Sequence, residues 1–194
     1  MENLWFYVQL GFNHVLDFSA YDHILFLIAL ALPFTFKNWK NVLLLATVFT
    51  IAHCSSLVLS VFKVVVVDVY FIEFLIPVTI FATAVFNLFY SKAGKEQKSI
   101  FLHIIATLFF GLIHGFGFSN YFKMLMAEEE EKLAPLFGFA LGIEFSQVLI
   151  VLSILTVAFG IQSWGNVKQQ NFVVIGSVIV LLVTIPMLIN TFPW

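Results

Sequence analysis

Long apolar runs succeed one another along this chain, divided by short stretches of polar punctuation. A membrane-crossing α-helix needs roughly 20 mostly apolar residues, and runs at 21–36, 41–62, 69–91, 99–120, 133–160 and 170–191 follow that pattern. Ahead of them, Leu4 to Val15 is a shorter apolar segment with Trp5, Tyr7 and Phe12. It predicts a helix lying in, or dipping into, the membrane interface. Pro33, Pro77, Pro135 and Pro186 fall within or at the edges of the spans, where bundle neighbours can re-satisfy the backbone groups that prolines free. No internal repeat is evident. The expected fold is therefore all-α: a polytopic membrane helical bundle of about six transmembrane helices plus a short N-terminal interfacial helix, forming a single transmembrane domain over residues 1–194.

Composition narrows the function classes. Of 194 residues, 61% are apolar and 10% charged, whereas soluble domains carry roughly 25% charged residues. Such a chain cannot clothe a water-facing surface, and the lipid bilayer is its first expected partner. All nine basic residues are lysines, which argues against nucleic acid as a partner, because arginine forks are usual where phosphate is gripped. The single cysteine, Cys54, excludes an intramolecular disulfide. The first apolar stretch lacks a basic leader and a small-residue cleavage site, so it reads as retained structure.

Lysine placement orients the bundle. Lys37, Lys40, Lys92, Lys95, Lys98 and Lys168 fall on loops of one side; Lys63, Lys123 and Lys132 fall on the other, beside Glu2, Asp17 and the acidic run Glu128 to Glu131. The positive-inside rule then places both termini outside and the six-lysine loops in the cytoplasm.

Ionisable side chains inside membrane spans are costly and usually mark function. Asp22 and His23 open the first span, His53 lies in the second, Glu73 near the start of the third, His114 toward the end of the fourth and Glu144 in the fifth. On the expected topology these groups share the outer half of the bilayer, with His14 in the headgroup layer beside them; His103, near the opposite face, does not fit. Imidazole nitrogens and carboxylate oxygens suit zinc, nickel, iron or manganese. The candidate metal ligands are thus Asp22, His23, His53, His114, Glu144, Glu73 and His14, for a divalent transition metal ion with zinc or nickel foremost. Asp22 and His23 are adjacent and point about 100° apart on a regular helix, so one can ligate while the other orients. Gly111, Gly115 and Gly117 around His114 read as helix-packing contacts before an ion-lining break.

The segments GFNHVLDFSAYDHILFL (11–27), FTIAHCSSL (49–57), FGLIHGFGF (110–118) and GFALGIEFSQ (138–147) together resemble the HupE/UreJ family of small membrane proteins associated with hydrogenase and urease accessory functions. That resemblance implies a nickel-permease-like protein of the bacterial inner membrane. Two departures stand out. Seven residues separate His14 from Asp22-His23, where nickel-linked members resemble His, five residues, then Asp-His. Aligned on His114, this chain has Phe110 and Gly117 where those members have a His and a Glu. Asp22, His23 and His114 carry over; two of the implied nickel ligands do not.

Two functions follow as expectations. The first is a divalent-metal permease or metal-handling accessory protein, in which ions pass the outer ligands and leave inward past His103 and Thr107. The second is an intramembrane metal-dependent hydrolase, in which His23, His53 and His114 hold zinc and Asp22, Glu73 or Glu144 serves as base. A serine nucleophile is disfavoured by the lack of an elbow motif, a metal-free structural role in a larger complex is a third possibility, and a homo-oligomer is left open.

Overall fold

The computed structural model describes residues 2–92, 100–127 and 129–193. Among them lie seven α-helices and no strand: α1 (Glu2–Leu16), α2 (Asp22–Ala31), α3 (Trp39–Val61), α4 (Val69–Lys92), α5 (Ile100–Leu125), α6 (Leu133–Gly165) and α7 (Gln169–Asn190). Lys95, Lys98 and Glu128, used above to orient the bundle, lie outside the described residues, as do the side chains of Glu2 and Lys92. The helices α3 to α7 are each long and apolar enough to cross a bilayer. Their outward faces carry large exposed apolar side chains, among them Ile51, Phe101, Phe109, Phe145 and Leu182, a surface that lipid tails solvate and water does not.

The N-terminal region departs from the expectation. Where the sequence suggested a span at 21–36, the helix covers only the ten residues of α2, about 15 Å at 1.5 Å per residue. The starts agree within one residue, behind a turn, so the shortening lies at the far end. Asp17 Oδ1 accepts the Ser19 backbone N–H at 2.8 Å, and the Ala20 N–H bonds the Asp17 carbonyl at 3.2 Å. The side chain thereby offers the backbone a turn in place of a helix. At the far end Pro33 has no N–H to continue the ladder. The preceding segment does not lie flat in the interface either: Tyr7 and Val15 of α1 are 2% and 0% exposed.

Contacts place α1 and α2 one after the other along the bundle axis. Gly138 of α6 lies against Leu4 and Tyr7, and Gly142 against Val8 and Phe12, so α1 descends beside the first turns of α6. Farther down, Phe26 of α2 meets Phe49 and Phe110, and Phe34, just past α2, meets His103 near the start of α5. Two half-length helices therefore cover the height that α5 covers alone, with an interruption at 17–21. Below, "upper" denotes the end carrying the start of α1 and the turns after α3 and α5, and "lower" the end carrying the turns after α2 and α6.

Two glycine pairs bring backbones into contact. Gly111 and Gly115 of α5, four residues apart, lie on α3. A Cβ on Gly115 would overlap Ser56 Oγ and the His53 carbonyl oxygen; one on Gly111 would come within 2.8 Å of the Phe49 carbonyl oxygen. Gly138 and Gly142 of α6 make the same contact with α1, answered by Gly11 against Phe139. This is the small-xxx-small geometry by which membrane helices approach closely. The helices α4 and α7 pair on the flank, and α6 ends on Asn166 in the left-handed region at φ 49°, a usual C-terminal cap.

The seam yields a signed prediction. Alanine for glycine in a helix interior gains about 1 kcal/mol from propensity, whereas overpacking costs about 1–3 kcal/mol. Gly160 meets nothing nearer than the Trp164 ring at 3.9 Å, so Gly160→Ala should leave thermal unfolding in detergent unchanged or raised. Gly115→Ala should lower the midpoint by several degrees. Equal midpoints for the two variants would mean that the α3–α5 seam does not limit stability.

Candidate metal site

The α3–α5 seam fixes the heights of two histidines. His53 lies within the α3 stretch that Gly111 and Gly115 touch, and His114 sits between those glycines; they are 0% and 1% exposed. The α1–α6 contact delivers the end of α1, with His14, to the same height. The start of α2 supplies Asp22 and His23 directly after the break. The ring of His14 lies 4.7 Å from that of His23 and 5.8 Å from that of His53; His23 lies 5.5 Å from His53 and 5.4 Å from His114. Taking one ring nitrogen from each, His14, His23 and His53 present ligand atoms that all lie within 4.8 Å of one another. Around a tetrahedral ion with bonds of about 2.0–2.1 Å the nitrogens would sit about 3.3 Å apart, so small ring rotations close the set.

Hydrogen bonding fixes which nitrogens are offered. His114 Nδ1 is 2.9 Å from the Phe110 carbonyl oxygen, which can only accept, so Nδ1 carries the hydrogen and Nε2 the lone pair. His23 Nδ1 lies 3.1 Å from Asp22 Oδ1, and that oxygen also accepts the His23 backbone N–H at 2.9 Å. A carboxylate or carbonyl holding the far nitrogen of a ligating histidine is the usual outer arrangement of metal sites. Five buried ring nitrogens have no hydrogen-bond partner: Nε2 of His14, His23 and His114, and both nitrogens of His53. An unsatisfied buried polar atom costs about 1–3 kcal/mol, so five together would consume the ~5–15 kcal/mol by which a typical protein is stable. The donor set fits a divalent transition ion, and the absence of a thiolate among these donors suits zinc, nickel or iron better than soft monovalent copper.

The other predicted ligands fall elsewhere. Asp22 stands behind His23. Glu144 is not drawn into the histidine group: its carboxylate accepts the Thr47 and Thr50 hydroxyls at 2.6 Å each, and Thr50 also reaches the Gln147 carboxamide oxygen at 3.3 Å. Glu73 is exposed on α4. His103 sits near the lower end between Phe34 and Phe86. Sequence reasoning missed the threonine cradle of Glu144, the Phe118 ring 3.9 Å from that of His14, and the Tyr7 hydroxyl that donates to Glu129 Oε1 at 3.1 Å. It placed Asp22 and His23 at the outer end of a span, whereas they stand at the height of His53 and His114. The Asp-x-Ser turn signature at 17–19 was the signal that could have revealed the break.

The family model described as HupE / UreJ protein matches residues 1–191. The chain belongs to the HupE/UreJ family. That family comprises nickel and cobalt transport or accessory proteins, so this member is a multi-pass membrane protein of a metal-handling group. No curated protein and no solved structure matches the chain.

The geometry sorts the candidate ligands into the histidine group and the rest. Detergent-purified protein should retain about one divalent transition ion per chain by elemental analysis. The His53→Ala, His114→Ala double variant should lose it, Asp22→Asn should weaken retention about 10–100-fold through its hold on His23, and Glu144→Gln and Glu73→Gln should keep it. Full metal content in the double variant would remove the histidines as the site.

Proposed function

We propose that this family member is a permease for divalent transition-metal ions of the nickel or zinc type, with His14, His23, His53 and His114 as its central binding station. The observation that carries this reading is the convergence of buried, unpartnered ring nitrogens at the break between α1 and α2. Interrupted helices in membrane transporters expose backbone and side-chain ligands near mid-membrane at the substrate site, and the α1–break–α2 arrangement, taken as one crossing, has that character. Charge balance agrees. Neutral imidazoles contribute no charge, and Asp22 contributes one negative charge against two positive, so the group offsets only part of the charge of an ion held here.

The lysine pattern supports an inner-membrane orientation in which both termini, and the upper end as a whole, face outward. On this orientation the ion arrives from outside at His14, whose ring borders an open groove between α1 and α5 that also exposes Asn13, Asp17 and Tyr121. The alternative, a metal-dependent hydrolase, draws support from the same histidines beside Asp22, since a three-histidine zinc site can lower the pKa of bound water to about 7. Against it, Asp22 is occupied with His23 and Glu144 with two threonines, and Glu73 is exposed on α4.

Vesicles reconstituted with the protein should take up zinc or nickel above protein-free controls, and the His53→Ala, His114→Ala variant should fall to control level. No uptake of zinc, nickel, cobalt or manganese, with or without a pH gradient, would end the permease reading. Topology has its own test. A reporter fused at residue 95 should remain cytoplasmic and one at the C-terminus should be exported; the reverse pattern would invert the orientation.

A further inference from the structure

Beneath the histidines a second space lies between α2, α4 and α5, partly open on the side of the exposed Leu102. Its volume is about 130 Å³, room for several waters where one needs about 10–15 Å³. Most of its wall is apolar, yet Asn87, His103 and Thr107 line it and are 2%, 7% and 1% exposed. Asn87 commits its amide N–H to the Ala29 carbonyl oxygen on α2 at 2.7 Å, which leaves the carboxamide oxygen as the end that can face a guest. Thr107 Oγ1 is buried with no hydrogen-bond partner. A cavity that served packing alone would gain nothing from such a hydroxyl, which is costly to bury unpaired.

One ring divides this space from the histidine site. Phe26 lines the cavity together with Phe110, and its ring also lies 5.3 Å from that of His114 and stacks 4.9 Å from that of Phe49. It is fully buried. The same phenyl group is therefore the floor of the upper site and the roof of the lower cavity.

Resting on the permease reading, we propose that this cavity is a second ion station on the inward route, and that Phe26 is the gate between the two. The station would take a partly hydrated divalent transition ion through the His103 imidazole, the Asn87 carboxamide oxygen and the Thr107 hydroxyl. These donors bind more weakly than a histidine cluster, as conduction requires of a site that must release its ion. Coupling is built into α2. His23 and Phe26 are three residues apart and share a helix face, so closure of His23 onto an ion displaces the segment that carries the gate. The interruption at 17–21 leaves α2 free of a rigid continuation into α1, which permits that movement.

The test measures the initial rate of zinc uptake into vesicles, with metal retained by each purified variant counted in parallel. Thr107→Val and Asn87→Leu should each slow uptake at least threefold while leaving the retained ion in place. Phe26→Ala should raise the rate at least threefold; Phe26→Leu, which keeps more of the volume, should raise it less. Wild-type uptake with all four variants at the wild-type rate would overturn the station and the gate. If wild type transports nothing, the permease reading fails, and a second measurement judges the cavity alone. In a Cys54→Ser, Thr107→Cys protein, zinc should slow alkylation of the new thiol by a small permeant maleimide, and adding Asn87→Leu should remove that protection. Protection that is absent, or that persists without Asn87, would overturn the station.

Discussion

Lipid tails are as apolar as leucine, so helices inside a bilayer gain little by hiding leucine from their surroundings, and their association rests on close packing instead. In this protein that closeness is concentrated at two pairs of glycines, on α5 against α3 and on α6 against α1. Everything at the histidine group depends on them. Were the α3 and α5 backbones held apart by a methyl group, His53 and His114 would recede from each other. Without Gly138 and Gly142, α1 could not lie deep enough to bring His14 to the others. The site is thus assembled by the smallest residues in the sequence.

The polar groups are disposed according to what each can satisfy. Glu144, a carboxylate at membrane depth, is supplied with two threonine hydroxyls that reach it while staying within hydrogen-bond distance of their own helix carbonyls. Asn87 secures a carbonyl of α2. The histidine group is left open instead. Their rear nitrogens at His23 and His114 are anchored while their front nitrogens are not. Buried polar groups in membrane proteins ordinarily find partners within the protein, and an open set of imidazole nitrogens is what a divalent transition ion could use.

Much of the architecture was legible in the sequence because hydropathy over a 20-residue window is a strong signal, and the five longest helices coincide with predicted spans. The histidines themselves were legible for a related reason: an imidazole inside an apolar run is conspicuous. What the sequence obscured was the N-terminal third. The gap between the segment ending at Val15 and the run opening at 21 was visible; what window averages did not show is that both helices beside it pack into the bundle and that the second stops at Ala31. The second helix was therefore read as a full span with Asp22 and His23 at its outer end, His14 was assigned to the headgroups, and Glu144 was grouped with the histidines on depth alone. Depth along a helix says nothing about which face a side chain occupies, and Glu144 faces Thr47 and Thr50.

The interruption at 17–21 bears on how the protein is made. Neither α1 nor α2 is long enough to insert stably by itself, and α1 finds its glycine groove on α6, more than a hundred residues later in the chain. During synthesis the close packing of α1 therefore cannot form until α6 has been made. His53 and His114 come together earlier, as soon as α5 packs on α3, but His14 joins them only at this last docking step. A chain truncated or stalled before α6 would then lack the contact that holds His14 beside the other histidines, so that the group is complete only in a finished fold.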